Sequence, residues 1–130
     1  MATWQDLANY VRSNYKISDE APNMIKLVFD TGNLRSQVVL LWRLELEGGA
    51  EQWLQIESPF ANRHAVDVNR VLDEMTSMVC GGLGIYGDVL TLRHAVPLEN
   101  MNINELERPL HLVTQTADRL EQMFVGGDQF

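Results

Sequence analysis

The sequence predicts an α+β domain with two layers, in which three helices pack on one face of a five-stranded antiparallel sheet. Apolar residues recur at helical spacing in three segments, and alternating segments separated by turn residues indicate strands. The resulting order is helix, three strands, helix, two strands, helix. A chain of 130 residues with 45% hydrophobic residues can build one such core. We therefore expect a single domain over residues 1–125 and a flexible tail over residues 126–130.

The first half of the chain supplies a helix and three strands. Thr3 precedes a run with helical spacing and resembles an N-cap. Residues 24–30 alternate as a strand does, and Arg35–Leu46 predicts a second strand of unusual length. Residues 50–58 predict a third strand, and Pro59 ends it because proline cannot donate a hydrogen bond to a neighbouring strand.

The middle of the chain supplies a helix and a hairpin. Residues 68–79 show helical spacing, and Gly81-Gly82 ends that helix. A short strand at residues 83–86 and a longer one at residues 89–96 follow, with a tight turn between them. These two strands complete the five-stranded sheet.

The last predicted element is a long helix. Asn102 and Glu105 have the spacing of a capping box at its start. Pro109 lies inside the helical pattern and leaves two alternatives. Either the helix starts just before this proline, where proline is tolerated, or its first turn is kinked there.

The predicted register places one face of the long strand in the core. Leu54 then lies opposite Trp42, and Asp30 pairs with Arg35. Under this register the core face of the long strand carries its even-numbered residues, which are Ser36, Val38, Leu40, Trp42, Leu44 and Leu46.

The opposite face of the sheet has the composition of a protein interface. Its expected apolar centre is Val28, Val39, Leu41 and Trp53, and Phe60 can extend this patch. The expected polar surround is Lys26, Gln37, Arg43, Gln55, Glu57, Thr91 and Arg93. An alternative is that a helix covers this face, or that the patch is too small to bind anything. We expect Val39, Leu41, Trp53 and Phe60 to contact a partner polypeptide.

Charge and composition narrow the classes of partner. The formal net charge is −8 and the ten lysines and arginines are scattered, which disfavours nucleic acid and anionic membranes. The single cysteine, Cys80, cannot form an intramolecular disulfide. No segment approaches the roughly 18 apolar residues of a membrane span. We therefore expect an acidic, cytoplasmic protein.

Two motifs resemble functional loops of enzymes. Residues 82–87 match a dinucleotide-binding pattern, but here a helix precedes the glycines and a strand follows, the reverse of what phosphate binding needs. Asp30-Thr31-Gly32 reproduces the catalytic triplet of aspartic proteases, and a tight turn between strands has the same composition. We expect residues 82–87 to be the end of a helix followed by a hairpin, and Asp30-Thr31-Gly32 to be a turn.

A small-ligand-binding protein or a hydrolase remains the alternative function. Its site would lie near Asp30, His64 or Cys80. The three histidines lack the short spacing of a metal site, and no second cysteine accompanies Cys80. We therefore expect no bound metal or cofactor.

Three short stretches carry a family resemblance. They are Ser58-Pro59-Phe60 at the end of the third strand, Gly81-Gly82 after the second helix, and residues 87–98, which lead into the last helix. Together with the element order they resemble the class I type III secretion chaperones and the related YbjN-like proteins. The resemblance implies a non-catalytic chaperone or adaptor that binds an extended segment of a partner by strand addition and side-chain pockets.

The same resemblance implies a homodimer. Proteins of this kind pair mainly through the second helix and the neighbouring strands. In this chain, Val71, Met75 and Tyr86 are the candidate dimer contacts that the resemblance implies.

Overall fold

The structure is a computed structural model that describes residues 1–79 and 81–126, and it confirms the α+β class. Within these residues it contains three α-helices and one antiparallel sheet of six strands. In chain order the elements are α1 (Trp4–Asn14), β1 (Ile17–Ala21), β2 (Met24–Gly32), β3 (Arg35–Leu46), β4 (Glu51–Asn62), α2 (Val68–Met75), β5 (Gly82–Tyr86), β6 (Val89–Pro97) and α3 (Ile103–Phe124). The strands lie in the order β1-β2-β3-β4-β6-β5.

The prediction of five strands is wrong by one edge strand. β1 pairs antiparallel with β2, and the two-residue turn Pro22-Asn23 joins them. The sequence of β1 contains Asp19 and Glu20, residues that are depleted in strands, so strand propensity did not indicate β1. Backbone pairing with β2 forms the strand in spite of this composition.

Helix boundaries follow the predicted caps at both ends of the chain. The Thr3 hydroxyl accepts a hydrogen bond from the Asp6 amide at 3.2 Å. Asn102 and Glu105 form the complete capping box at the start of α3. α3 begins at Ile103 and continues through Pro109, so the alternative in which the helix starts just before this proline is wrong.

Two element ends differ from their predicted positions. α2 ends at Met75, earlier than the predicted 79. β4 does not stop at Pro59 but runs to Asn62, because the register with β6 shifts between Pro59 and Ala61 and this irregularity accommodates the proline. Phe60 therefore lies within a strand rather than in a loop.

The register of β3 differs from the prediction by one residue on both sides. On the β4 side, Leu54 pairs with Arg43 rather than with Trp42, because the connection from Leu46 to Glu51 contains four residues, 47–50. On the β2 side, Asp30 pairs with Ser36, and a bulge lets Gly32 pair with Arg35. A shift of one residue reverses the two faces of a strand.

The predicted core face of β3 is consequently wrong. Val39 and Leu41 are fully buried, whereas Val38, Leu40 and Trp42 are only partly buried. The buried residues of the other strands lie on the same side as Val39 and Leu41: Ile25, Leu27, Leu54, Ile56, Leu90 and Leu92. We call this side of the sheet the covered face.

The three helices complete the core on the covered face. α1, α2 and α3 contribute Leu7, Val71 and Leu110 to the same cluster of buried apolar residues. α1 is also tied to α3, because the hydroxyls of Tyr10 and Tyr15 both donate to the Glu107 carboxylate. This arrangement leaves the other side of the sheet, the open face, without a helix among the described residues.

Candidate interaction surface

The open face carries large apolar side chains that remain in contact with solvent. Val28 on β2 is 46% exposed and Leu46 on β3 is 47% exposed. Between them lie partly buried residues that alternate with the covered-face residues along each strand: Met24, Val38, Leu40, Trp42, Leu44, Trp53 and Gln55. The even-numbered residues of β3 contain no charged side chain. The result is a mainly apolar surface, in which Lys26 of β2 pairs with Leu40 and Glu51 of β4 pairs with Leu46.

The structure separates the four predicted partner-binding residues. Val39, Leu41 and Phe60 are fully buried in the core, so the expectation that they form the exposed patch is wrong. The cause is the one-residue register shift for the two β3 residues, and the extension of β4 for Phe60. Trp53 lies on the predicted face of the sheet, where it pairs with Leu44.

A buried carboxylate lies beside this apolar centre. Glu57 is 1% exposed although it lies on the open face. Its two oxygens accept hydrogen bonds from the Trp42 indole at 2.9 Å, the Thr91 hydroxyl at 2.7 Å and the Arg93 Nε at 2.6 Å. We call these four residues the Glu57 cluster. It fixes the rotamers of side chains that would otherwise be mobile on an open sheet.

Aromatic and glycine residues complete the surroundings of this cluster. The Trp42 ring lies 6.1 Å from the Tyr86 ring, between centroids. Gly84 leaves room for the Arg93 side chain, since a Cβ atom at this position would lie 2.3 Å from Nε. Sequence reasoning placed Glu57, Thr91 and Arg93 on this face, but no local pattern identified Trp42 as the fourth member.

The predicted dimer residues also occupy different environments. Val71 is fully buried and belongs to the core, whereas Met75 is partly buried against it. Tyr86 is 57% exposed at the end of β5. Four of the large apolar residues that are exposed within the described chain fall in the segment from α2 to β5: Leu72, Val79, Ile85 and Tyr86.

The two edges of the sheet differ in how they are protected. β1 carries Asp19 and Glu20 and has an irregular register between Ile17 and Asp19, features that hinder pairing with another chain. β5 has neither a charged residue nor a proline, and its register with β6 is regular over all five residues. An apolar pocket of about 230 Å³ lies beside β5, between Leu83, Ile85 and Val68 of α2.

Of the residues of the alternative hydrolase site, the structure describes Asp30 and His64, and the groove that Asp30 lines does not include His64. Asp30 accepts a hydrogen bond from the Gly32 amide at 2.9 Å and lines an open groove. The exposed His64 lies 3.5 Å from the equally exposed Asp88. Cys80 lies outside the described residues. Within residues 1–79 and 81–126, no group of three or more histidine, cysteine, aspartate or glutamate side chains could hold a metal ion.

The glycine-rich segment at 82–87 is the strand β5 and the start of a turn, with α2 before it.

Protein-family models were searched, and none matches this chain. Curated proteins gave no significant match either. Among the helices in the described part of the chain, none is both long and apolar enough to cross a membrane.

Proposed function

We propose that this protein is a non-catalytic binding module, a chaperone or adaptor that holds a partner polypeptide on the open face of its sheet. The observation that carries the proposal is that Leu46 and Val28 are about half exposed at either end of an apolar surface. Its charged neighbours on the same face include Lys26, which pairs with Leu40, and Glu51, which pairs with Leu46. A surface of this kind is typical of protein interfaces. The resemblance to class I type III secretion chaperones supports the same class of function.

The chemistry of the face defines the kind of partner. The even-numbered residues of β3 offer no charge to a charged ligand, and Glu57 is already paired with Arg93. We therefore infer that the partner presents an apolar segment without net charge. The net charge of −8 favours the solubility of the loaded protein.

We also propose that the protein is a homodimer that pairs through the β5 edge. An uncharged, regular edge strand accepts a second strand readily. Antiparallel pairing of two β5 strands about Gly84 would place Leu83 opposite Ile85 of the second copy, so the strand is complementary to itself. The exposed Leu72 on α2 and the exposed Tyr86 at the end of β5 would be buried by this pairing.

The partner surface is tested by one substitution on the open face and one away from it. A tagged protein is recovered from its native host with Leu46→Arg, and Ile103→Arg serves as the control because Ile103 is 54% exposed at the start of α3. The co-purified protein is then purified separately and titrated into each variant. Binding that is lost in Leu46→Arg and retained in Ile103→Arg supports the proposal. Equal binding by both variants would exclude the open face.

The dimer is tested by placing a charge on the edge. Ile85→Lys adds a lysine to β5, and Leu34→Lys adds the same residue at a fully exposed turn. We expect the mass in solution, measured by light scattering, to fall to that of one chain in Ile85→Lys alone. A dimer that persists in this variant would show that the copies associate elsewhere.

A further inference from the structure

The unprotected β5 edge has one polar contact that matters for strand addition. Gly87-Asp88 is a two-residue turn, which makes Tyr86 and Val89 the first hydrogen-bonded pair of the hairpin. Hydrogen bonding alternates along antiparallel strands, so the backbone groups of Leu83 and Ile85 point away from β6 and toward the edge. A second strand would bond to these groups.

The Arg93 side chain is hydrogen-bonded to one of these backbone groups, the Ile85 carbonyl. Its Nη2 donates to the Ile85 carbonyl at 2.9 Å. Its side chain starts on β6, one strand inside the edge, and therefore crosses β5 on the open face to reach this carbonyl. The crossing is possible because Gly84 has no side chain there, whereas a Cβ atom would contact the guanidinium group at 2.3 Å.

The Glu57 cluster holds Arg93 in this position. The Arg93 Nε donates to the Glu57 carboxylate at 2.6 Å, and that carboxylate is itself fixed by Trp42 and Thr91. A buried, fully bonded carboxylate orients its arginine more firmly than a solvent-exposed one would. The edge carbonyl is thus occupied by a positioned cation instead of water.

We propose that Arg93 guards the β5 edge, and that a second copy of the chain pairs there only when Arg93 leaves the Ile85 carbonyl. This inference rests on the proposed function, since it names the contact that limits self-association at the same edge. Natural sheets protect their edges with charged side chains, and here the charge comes from the neighbouring strand. The strength of dimerisation is therefore set by Glu57, Gly84 and Arg93 together.

Two glycines of β5 provide a matched test. Gly84→Ala displaces the guanidinium group and keeps the net charge, whereas a Cβ atom at Gly82 would meet nothing within 4 Å. We expect Gly84→Ala to lower the dimer dissociation constant about tenfold or more, the scale of one charged hydrogen bond, and Gly82→Ala to leave it within about twofold. Sedimentation equilibrium over a dilution series measures both constants, and thermal melts verify that both variants fold.

A second variant removes the guard directly. The double substitution Glu57→Gln with Arg93→Met avoids an unpaired buried carboxylate. It is expected to tighten the dimer as Gly84→Ala does, and adding Ile85→Lys to either variant is expected to return single chains.

The outcomes distinguish the proposed role of Arg93 from the proposed dimer site at the β5 edge. Dimerisation that is abolished by Ile85→Lys but unchanged or weakened in Gly84→Ala and in the double variant overturns the guard and leaves the edge as the dimer site. Single chains in every variant, or a dimer insensitive to Ile85→Lys, overturns both proposals.

Discussion

Of the two faces of β3, the covered face carries more polar side chains than the open face, although the covered face is the one that packs in the core. The covered face buries Gln37 completely, and this amide donates to the Ser58 hydroxyl and to the Pro59 carbonyl. The open face leaves Leu40 and Leu44 partly exposed. A chain shaped by stability alone would be expected to bury the leucines and expose the glutamine. The apolar residues of the open face therefore do not belong to the core, and their exposure is the reason for proposing that this face binds a partner.

Two neighbouring leucines test whether the two faces of β3 differ in burial. Leu41 is fully buried, and Leu40 is partly exposed on the other side of the strand. We expect Leu41→Ala to lower the free energy of unfolding by about 2–5 kcal/mol, because it leaves a cavity, and Leu40→Ala to lower it by about 1 kcal/mol. Urea denaturation followed by circular dichroism measures both values. Equal losses would mean that the two faces are not distinct.

Disruption of the Glu57 cluster on the open face is expected to cause the next largest loss of unfolding free energy. Glu57→Gln removes the charge that Arg93 and Thr91 contact. Because the Arg93 side chain is 37% exposed and partly screened by water, we expect a loss of about 1–3 kcal/mol in unfolding free energy. Trp42 fluorescence should also change, since its indole donates to Glu57. Glu51→Gln is the control on the same strand, and an equal response from it would contradict a specific role for the cluster.

A carboxylate in the helical layer predicts a pH dependence. Burial raises the pKa of Glu107, but hydrogen bonds from Tyr10 and Tyr15 and the nearby His111 together lower it below the ordinary value of 4.5. A lowered pKa in the folded state contributes stability that is complete above the unfolded pKa and is lost as the pH falls through the folded pKa.

Glu107→Gln is therefore expected to lower the unfolding free energy by about 1 kcal/mol at neutral pH, and the difference from the original protein should shrink toward pH 3. Denaturation curves at several pH values measure this difference. If it stays constant with pH, ionisation of Glu107 does not stabilise the contact between α1 and α3.

The smallest effect on stability belongs to the exposed end of the open face. Val28 is 46% exposed, so Val28→Thr should change the unfolding free energy by no more than about 0.5 kcal/mol. The same substitution at the buried Val39 should cost about 1–3 kcal/mol, because it buries a hydroxyl group. Titration of the partner should show weaker binding to Val28→Thr. Unchanged affinity would place the contact away from this end of the face.

The sequence predicted the elements of the fold better than the register of its central strand. The alternation in residues 24–30 and 50–58 gave the correct faces for β2 and β4, and the caps at Thr3 and Asn102 gave correct helix starts. β3 has apolar residues on both faces, so its own pattern could not choose between them. The choice depended on loop length.

One irregularity on each side of β3 determines which of its faces is buried. Ala50 belongs to the connection between β3 and β4, which turns through Glu47, Gly48 and Gly49 with positive φ angles. Counting Ala50 as a strand residue instead moves every β3 side chain to the other face. On the other side, the bulge near Gly32 has the same effect. A difference of one residue in a glycine-containing turn leaves no signal in hydrophobic periodicity.

Ion pairs between residues that are distant along the chain could not be predicted from the sequence either. Arg35 was expected to pair with Asp30, the nearest carboxylate across the turn. It pairs instead with Asp118 at 3.0 Å and with Glu121 at 3.1 Å, both on α3. These partners are brought to Arg35 only by the packing of α3 on the covered face. Local spacing could not indicate them.

The most direct test measures which face of β3 is accessible to solvent. Val38→Cys and Val39→Cys are each made in a Cys80→Ser background, and the rate of thiol labelling is measured in native conditions. We expect fast labelling of Val38→Cys, whose side chain lies on the open face, and labelling of Val39→Cys only as fast as the protein unfolds. Fast labelling of Val39→Cys with protection of Val38→Cys would exchange the two faces and contradict the account.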